Sequence, residues 1–207
     1  MLPRTEPVTV GAVILAAGAS RRMGAGRNKM LLEIDGESLV RRAARRALAA
    51  GLSPVVVVIG HEPDRIRAEL KDLPVEFAVN PDYTGPTSGS LHQGLNALGP
   101  HVGAAVVMLG DMVRVTEETL AMLVAAARGT DAPLVVSRYG DITAPPLLFR
   151  RVLFPELLAW TGEGCGKTVV KAHNHDAMFV DRPVALLADV DTPEDFAAAR
   201  AALTHDR

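Results

Sequence analysis

Hydrophobic residues along the chain gather into short uninterrupted runs that stop at glycine, proline or asparagine. Runs of this kind, rich in β-branched residues, predict buried strands, at Val8 to Leu15, Val55 to Ile59, Val75 to Val79, Ala104 to Leu109 and Leu134 to Ser137. The stretches between them favour helices, at Ser38 to Ala50, Pro63 to Leu70, Ser88 to Leu98 and from Thr116 to about Arg128. Strands that alternate with helices are typical of a parallel sheet with right-handed crossovers.

The remaining segments predict shorter elements. Leu31 to Ile34 forms an extended piece that the Asp35-Gly36 turn closes. The last third of the chain predicts a turn-rich stretch at Gly140 to Pro146, an edge strand at Leu147 to Phe149, a short helix at Phe154 to Trp160, strands near Ala177 to Val180 and Leu186 to Ala188, and a helix from about Thr192 to Leu203.

Together these elements indicate an α/β fold, a three-layer α/β/α sandwich around a mostly parallel, Rossmann-like sheet. Aromatic residues are only 4% of the 207 residues, so the core must be aliphatic, which suits parallel strands covered on both faces. The length fits a single domain, residues 1–207. In such sheets ligands bind beyond the carboxyl ends of the strands. Gly18, Asn80 and Gly110-Asp111 follow predicted strands and are therefore candidate ligand-binding residues.

Charge and cysteine content exclude several functional classes. The formal net charge is −2, so no broad positive field draws the protein to nucleic acid or to an acidic membrane. Arg41-Arg42 and Arg45-Arg46 are interpreted as the solvated face of one helix. The single cysteine, Cys165, leaves no disulfide and no zinc cluster, and it lacks an evident activating base. Met1 to Pro7 has no apolar signal core and no later apolar run approaches ~18 residues, so we expect a cytoplasmic protein.

A glycine-rich loop follows the first strand. It reads Leu15-Ala16-Ala17-Gly18-Ala19-Ser20-Arg21-Arg22-Met23-Gly24, with Asn28-Lys29 a few residues later. Small residues let the main chain approach a ligand, and the free amides of such a loop form a nest for an anion. Arg22 can brace two phosphate oxygens at once, and Lys29 adds a mobile point charge. By itself the pattern leaves open both a phosphate-binding loop and a solvated basic turn.

Two aspartates stand where a cation could bind. Asp111 follows a predicted strand, a position suited to Mg²⁺, which takes oxygen ligands and keeps some of its waters. Asp191 and Asp189 are two candidates for the second carboxylate. The residues around Asp111 and Asp191 could equally have a structural role. An aspartate after a strand can cap a turn, and Thr192-Pro193 is a good start for a helix.

These motifs resemble those of one enzyme family. Residues 15–24 with Lys29 are similar to Leu-Ala-Ala-Gly-x-Ser-x-Arg-Met-Gly and its later lysine, the signature of nucleotidyltransferases related to the molybdenum-cofactor cytidylyl- and guanylyltransferases. Further motifs resemble that family in the same order and across almost the whole chain, namely Asn80-Pro81-Asp82-Tyr83 with Ser90-Leu91, Leu109-Gly110-Asp111-Met112, and Asp189 to Asp195.

The resemblance implies a reaction in which a phosphate of the acceptor attacks the α-phosphorus of a nucleoside triphosphate and pyrophosphate leaves. Such chemistry asks the protein mainly for positioning and for neutralising negative charge. The implied catalytic residues are Arg22, Lys29 and Asp111, and the implied ligands of Mg²⁺ are Asp111 and Asp191. The implied nucleotide-binding residues are Leu15, Ala16, Ala17, Gly18, Ser20, Arg22, Lys29, Asn80 and Ser90.

The implied acceptor is molybdopterin or its molybdenum form, with CTP favoured over GTP as donor. The motif Gly110-Asp111-Met112 resembles the guanylyltransferases of the family more closely. The motif from Asp189 to Asp195 resembles the cytidylyltransferases more closely. A molybdoenzyme or its chaperone is the implied protein partner. The alternatives are a sugar-phosphate acceptor, an NAD(P)H-dependent oxidoreductase of the same family, and a non-catalytic nucleotide sensor, against which the aspartate pair argues.

Several segments depart from the family pattern around the expected acceptor side. Val113 stands where the family usually has proline, Gly85 to Ser90 carries an added proline and glycine, and Asp141 to Pro146 replaces a segment that is usually rich in glycine. Glu163 and Lys167 stand where an acid and an arginine usually line the acceptor pocket. The contacts with the acceptor should therefore differ from those of the family.

Two further motifs are interpreted as coincidental. Gly162 to Thr168 looks like a P-loop, but Thr161 stands where its first glycine is needed, and a helix rather than a strand precedes it. The two histidines of His173-Asn174-His175-Asp176 could share a metal, but with no third ligand nearby a surface turn fits them better.

Overall fold

The computed structural model describes residues 8–24, 26–164 and 166–205, so the interpretations of Met1 to Pro7 and of Cys165 lie outside the described residues. The strands are β1 Thr9–Leu15, β2 Glu33–Ile34, β3 Glu37–Ser38, β4 Val55–Ile59, β5 Glu76–Val79, β6 Val102–Leu109, β7 Leu134–Tyr139, β8 Ile142–Arg150 and β9 Met178–Arg182. The helices are α1 Leu39–Ala49, α2 Pro63–Glu69, α3 Thr87–Ala97, α4 Glu117–Arg128, α5 Phe154–Ala159, α6 Lys167–Ala172 and α7 Pro193–His205.

A seven-stranded sheet forms the middle layer, in the order β5-β4-β1-β6-β8-β7-β9. The pairs of β1 with β4, β1 with β6, β4 with β5 and β7 with β9 are parallel, and β8 runs antiparallel to both of its neighbours. β2 and β3 make a separate hairpin. The expectation of an α/β fold with a mostly parallel sheet is confirmed.

Alternate residues of β1 pack on opposite faces of the sheet, as the pleat of a strand requires. Ala12 and Ile14 join the core that holds the apolar residues of α1, α2 and α4. Val13 and Leu15 join the core on the other face, which α3, α5 and α6 cover. The predicted three layers are therefore present. Among the described residues, none of the helices is both long enough and apolar enough to cross a membrane.

Side chains cap the first turns of α1 and α7. Ser38 accepts a hydrogen bond of 3.3 Å from the amide of Arg41 at the start of α1. At the start of α7, Thr192 Oγ1 accepts from the amide of Asp195 at 3.2 Å, and Asp195 Oδ2 accepts from the amide of Thr192 at 2.8 Å. This reciprocal arrangement satisfies two amides that the first turn of a helix leaves unpaired.

β8 differs from the sequence prediction. The strand predicted at Leu147 to Phe149 is present within β8, but its prediction as an edge strand is wrong, because β8 lies inside the sheet and Leu147 pairs with both Val107 and Val136. The turn-rich stretch predicted at Gly140 to Pro146 ends sooner than expected, since β8 already begins at Ile142. Its two prolines lie in a bulge opposite Ser137, where no ladder hydrogen bond is required of them.

The strand predicted at Leu186 to Ala188 is also wrong. A turn of 3₁₀ helix occupies Val184–Leu186, directly after a proline that fixes the backbone angle at the turn. Extended pairing in this region is limited to an isolated antiparallel bridge between Asp189 and Met112.

Candidate active site

A cavity of about 450 Å³ opens at the carboxyl ends of β1 and β6, the edge of the sheet where ligands of α/β proteins bind. Three groups of residues line it. They are the loop residues Leu15, Ala17, Gly18, Ser20, Arg21, Arg22, Lys29 and Met30, the residues Tyr83 and Gly85 before α3 with Thr87 and Ser90 in its first turn, and the carboxylates Asp111, Asp189 and Asp191. Leu109 and Gly164 complete the lining.

Ser20 joins the two ends of the glycine-rich loop. Its hydroxyl accepts a hydrogen bond of 3.0 Å from the amide of Lys29, and its carbonyl accepts one of 2.9 Å from the amide of Met23. Ser20 has a φ of 54°, in the left-handed region that residues other than glycine adopt rarely. This closed loop directs the side chain of Lys29 into the cavity.

Lys29 links the two predicted metal ligands. Its ammonium donates hydrogen bonds to Asp111 Oδ2 and, at 3.0 Å, to Asp191 Oδ1. Arg22 reaches the same Asp191 oxygen at 2.9 Å from the solvent side. Burial lowers the pKa of Lys29, but the charges and hydrogen bonds of Asp111 and Asp191 outweigh it and raise the pKa overall. Lys29 is therefore a cation held between two carboxylates.

The main chain brings the two aspartate segments together, although they are far apart in sequence. The amide of Val190 donates a hydrogen bond of 3.2 Å to the carbonyl of Asp111. Val190 and Val113 also pack in one small core with Ile34. Asp189, the competing candidate, lies at the rim of the same cavity, and burial together with the negative charges of Asp111 and Asp191 raises its pKa.

The carboxylates suit a hard divalent cation. Asp111 is buried, and its Oδ1 has no hydrogen-bond partner among the described residues. Buried polar atoms are normally paired, so this oxygen is available to a ligand. No group of three or more histidine, cysteine or acidic residues with metal-binding geometry occurs in the described part of the chain. Mg²⁺ and similar ions need no such group, because they are held by one or two carboxylates with waters and phosphate oxygens.

The other predicted nucleotide-binding residues divide into two sets. Ala17, Gly18 and Ser90 line the cavity. Ala16 and Asn80 are buried and are absent from its lining. Ala16 donates its amide to Val58 at 3.0 Å, and the side-chain amide of Asn80 donates to Ser90 Oγ at 2.9 Å. In this structure Asn80 lies beneath the cavity lining, where its hydrogen bond orients the hydroxyl of Ser90.

Residues 12–177 of the chain match the MobA-like NTP transferase domain. The chain belongs to this family. It is 35% identical over 140 residues to the bifunctional protein GlmU of Anaeromyxobacter sp. (strain Fw109-5), a stretch that covers 66% of this chain and 28% of that protein. The chain thus spans about a quarter of the length of the curated relatives that it matches.

Solved structures of similar shape cover nearly the whole chain. Rv0371c from Mycobacterium tuberculosis H37Rv is 25% identical with a TM-score of 0.83, covering 95% of this chain and 100% of that one. A complex of Rv0371c with manganese gives a TM-score of 0.78 at the same identity and coverage. Molybdopterin-guanine dinucleotide biosynthesis protein A from Archaeoglobus fulgidus, at 17% identity and a TM-score of 0.64 over 94% of this chain and 99% of that one, shares the fold.

In this member of the MobA-like NTP transferase family, a side chain of α1 that lies outside the cavity holds the turn after Asp111. Arg46 Nη1 donates hydrogen bonds of 2.8 Å and 2.6 Å to the carbonyls of Val113 and Val115. Burial, and then the positive charge of Arg42, lowers the pKa of Arg46 to about 10. The interpretation of Arg41-Arg42 and Arg45-Arg46 as a solvated face is therefore wrong for Arg46, whose side chain tethers the segment that carries Val113 in place of proline. It is also wrong for Arg42, whose side chain is only 14% exposed and donates a hydrogen bond of 2.8 Å to the carbonyl of Ile34.

Gly162 and Glu163, at the beginning of the P-loop-like stretch, contact the start of α3. Glu163 Oε2 accepts hydrogen bonds from the hydroxyl of Thr87 and, at 3.2 Å, from its amide. The stretch follows α5 rather than a strand, which agrees with its interpretation as something other than a P-loop. His173 and His175 lie in the turn after α6, and His173 contacts Glu156 at 2.7 Å.

Sequence reasoning assigned no role to Arg21, Gly85 or Thr87, all of which line the cavity. The motif Asn80-Pro81-Asp82-Tyr83 likewise indicates no role for Tyr83, which lines the cavity and whose ring lies 5.8 Å from that of His61. The signal was available, because Tyr83 to Thr87 follows β5 at the same edge of the sheet as Gly18 and Asp111.

Proposed function

We propose that the protein is a nucleotidyltransferase that joins the nucleoside monophosphate part of a nucleoside triphosphate to a phosphorylated small molecule. An oxygen of the acceptor phosphate forms the new bond to the α-phosphorus. The bond from the α-phosphorus to its bridging oxygen breaks, and pyrophosphate leaves with that electron pair. The observation that carries the proposal is the meeting of Lys29, Asp111 and Asp191 at one point of the cavity, with the glycine-rich loop beside it.

The residues of the site have separate tasks in this proposal. The main-chain groups that line the cavity at Leu15, Ala17 and Gly18 bind the nucleotide, and Ser90, oriented by Asn80, adds a hydroxyl. Arg22 and Lys29 neutralise the negative charge of the triphosphate as pyrophosphate departs. Asp111 and Asp191 would hold a divalent cation, which when bound neutralises phosphate oxygens. An ionised acceptor phosphate is already a nucleophile, so no side chain has to remove a proton from it.

The proposal also names the cation, the acceptor, the donor nucleotide and the second metal ligand. Mg²⁺ is the proposed cation, and the manganese complex of Rv0371c supports a divalent ion at this fold. Molybdopterin is the proposed acceptor and CTP the proposed donor, both from the family resemblance. For the second metal ligand we favour Asp191 over Asp189, because Asp191 shares the ammonium of Lys29 with Asp111.

Pyrophosphate release tests the proposal. The purified chain is given each of CTP, GTP, UTP and ATP with Mg²⁺, and purified molybdopterin as acceptor. We expect release with one nucleotide above the others and none in EDTA. Asp111→Asn should abolish release while the circular dichroism spectrum is kept. The matched control is Asp131→Asn, an exposed aspartate outside the lining of the cavity, which should keep full activity.

Two results would overturn the assignment. Full activity of Asp111→Asn would remove this residue from the metal site. Binding of a reduced nicotinamide cofactor, without pyrophosphate release for any nucleotide or acceptor, would support the oxidoreductase alternative instead.

A further inference from the structure

The ammonium of Lys29 has two sets of partners that exclude each other. In the structure it donates hydrogen bonds to Asp111 Oδ2 and, at 3.0 Å, to Asp191 Oδ1. In the proposed reaction the same ammonium neutralises the triphosphate, while Asp111 and Asp191 hold a divalent cation. An ammonium and a metal ion on the same carboxylate oxygens would bring like charges into contact. The contacts with the aspartates and the contacts with the triphosphate are therefore alternatives.

Lys29 covers the oxygens that a cation between the two aspartates needs. The side chains of Lys29 and Asp111 are 13% and 8% exposed, so water and salt screen this pair little. Arg22 places a second positive charge 2.9 Å from Asp191 Oδ1. Asp111 Oδ1 has no hydrogen-bond partner among the described residues, but by itself it offers a cation a single protein ligand. A divalent cation that arrives alone is thus opposed by two cationic side chains.

The charges of this group balance in two different ways. In the structure the carboxylates of Asp111 and Asp191 face Lys29 and Arg22, two negative charges against two positive ones. A triphosphate that arrives alone finds both cationic side chains held by carboxylates. When metal and triphosphate arrive together, the metal balances the carboxylates, and Lys29 and Arg22 balance the phosphates. Each ligand therefore removes an obstacle to the other.

The change of partner requires movement of the Lys29 side chain alone. The amide of Lys29 is fixed by Ser20 Oγ at 3.0 Å, and its carbonyl accepts a hydrogen bond of 3.1 Å from the amide of Leu32. Gly18, Ser20 and Lys29 line the same cavity as the two aspartates. The flexible four-carbon stem of a lysine can carry its charge between neighbouring partners while the main chain stays in place.

We propose that Lys29 is an internal counter-ion, which the nucleotide exchanges for the divalent cation. The triphosphate draws the ammonium away from Asp111 and Asp191, and the cation takes its position between the two carboxylates. The inference rests on the proposed function, because it takes the loop beside Lys29 to bind a triphosphate. Cation and nucleotide then bind cooperatively, and each raises the affinity for the other by the same factor. The site thus admits the cation together with the substrate.

Binding of Mn²⁺ in the absence of nucleotide tests the competition between metal and ammonium. Calorimetric titration with MnCl₂ gives the affinity of the wild type and of Lys29→Met. We expect Lys29→Met to bind Mn²⁺ at least about tenfold more tightly, within the range typical of coupled sites. Lys71→Met, which removes an exposed lysine outside the cavity, is the matched control and should bind Mn²⁺ as the wild type does.

Two outcomes of this titration would contradict the inference. Equal or weaker binding of Mn²⁺ by Lys29→Met would mean that the ammonium does not compete with the metal. An equal gain in Lys71→Met would mean that net charge, and not the contact with the aspartates, sets the affinity for the metal.

Binding of a nucleotide in EDTA tests the same exchange without metal. The probe is α,β-methylene CTP, which is not cleaved at the α-phosphorus. Asp191→Asn weakens the hold on Lys29, so we expect this variant to bind the probe at least about fivefold more tightly than the wild type. The control is Asp189→Asn, which removes a carboxylate of the same cavity that makes no hydrogen bond to Lys29 among the described residues. It should gain less, and an equal gain would show that lower repulsion explains both variants.

The double variant Lys29→Met with Asp191→Asn separates the release of Lys29 from the loss of negative charge. If Asp191→Asn acts by releasing Lys29, its gain in affinity for the probe disappears in the Lys29→Met background. A gain of the same size in both backgrounds would overturn the inference. Circular dichroism spectra establish that each variant is folded. Should Lys29→Met not fold in EDTA, the comparison of Asp191→Asn with Asp189→Asn decides the question without it.

The wild type separates this inference from the proposed function. If the wild type binds neither α,β-methylene CTP nor the corresponding analogues of GTP, UTP and ATP, with or without Mn²⁺, the proposed function fails. The Mn²⁺ titration then still decides whether Lys29 competes with a metal. If a nucleotide analogue binds but the Lys29 and Asp191 variants do not change the affinities as expected, the proposed function stands and the exchange is refuted.

Discussion

The amide of Val190 donates a hydrogen bond of 3.2 Å to the carbonyl oxygen of Asp111. The neighbouring residues Met112 and Asp189 form an antiparallel bridge, so the two aspartate segments are joined main chain to main chain. Val113 and Val190 then bury their side chains in the same small core. The approach of Asp111 to Asp191 is therefore built into the fold, and it does not depend on Lys29 alone.

Lys29→Met should make the stability of the protein depend on a divalent cation. Lys29 and Asp111 are 13% and 8% exposed at their side chains, so removing the ammonium leaves a carboxylate buried without its partner. We expect the free energy of unfolding in EDTA to fall by about 3 kcal/mol. Mg²⁺ or Mn²⁺ should restore part of the loss, because a cation between Asp111 and Asp191 replaces the missing charge. Urea unfolding with and without Mg²⁺ measures both effects.

The control for this variant is Lys71→Met, which removes an exposed lysine outside the cavity. It should leave both the stability and its response to Mg²⁺ unchanged. If Lys29→Met unfolds at the same urea concentration as the wild type in EDTA, the ammonium does not balance the carboxylates in solution.

Arg46→Met should lower activity although Arg46 lies outside the cavity lining. The variant loses two charged hydrogen bonds to the carbonyls of Val113 and Val115, in the turn that follows Asp111. We expect about 2 kcal/mol less stability and a lower kcat, with little change in KM for the nucleotide. Urea unfolding and steady-state pyrophosphate release measure the two quantities.

Arg45→Met is the matched control, one residue earlier on the same helix. Arg45 is 61% exposed at its side chain and pairs with Glu37, a contact of the kind that contributes little. Equal losses in the Arg45 and Arg46 variants would show that charge on α1, rather than the tether, causes the effect.

The sequence predicts those parts of the fold that repeat a strong local pattern. β1, β4 and β6 consist mainly of aliphatic residues, and because these residues are buried on both faces of the sheet, the apolar run is sufficient to recognise each strand. The local pattern misleads at β8, because its two prolines are ordinary signs of a turn and only the partner strands reveal that they lie in a bulge. Pairing across strands is information that a local pattern does not contain.

The same limit applies to the site. Gly18 and Asp111 could be predicted because strand ends share one edge of the sheet, a rule that needs no distances. The tether of Arg46 and the anchoring role of Asn80 could not, since both depend on which carbonyl or hydroxyl lies within reach in three dimensions. Arg46 carries the same local pattern as the exposed Arg45, and the packing of α1 alone separates them.

Gly94→Ala should destabilise the protein by about 1–3 kcal/mol through overpacking. A Cβ at residue 94 would lie 2.3 Å from Val13 Cγ1 and 2.9 Å from Val58 Cγ2, so α3 would have to move away from the sheet. Because α3 begins at Thr87 and carries Ser90, KM for the nucleotide should rise as well. Gly89→Ala, in the same helix, is the control.

At residue 89 an added Cβ meets only side-chain atoms of Asn80, at 3.5 Å and beyond, which is ordinary contact. This variant should be as stable as the wild type or slightly more stable, since alanine favours a helix over glycine. A Gly94→Ala protein with wild-type stability would mean that α3 packs less tightly on β1 and β4 than the structure has it.

Glu163 and Thr87 should prove energetically coupled in a double-mutant cycle. Glu163 accepts hydrogen bonds from both the amide and the hydroxyl of Thr87, and thereby holds the loop before α6 against the first residue of α3. We expect Glu163→Ala and Thr87→Val each to raise KM for the nucleotide a few-fold. The double variant should be no worse than Glu163→Ala, because the carboxylate is the acceptor of both bonds. Steady-state kinetics of the four proteins give a coupling of about 0.5–1 kcal/mol if the contact holds in solution. Effects that simply add would mean that the loop and the helix act independently.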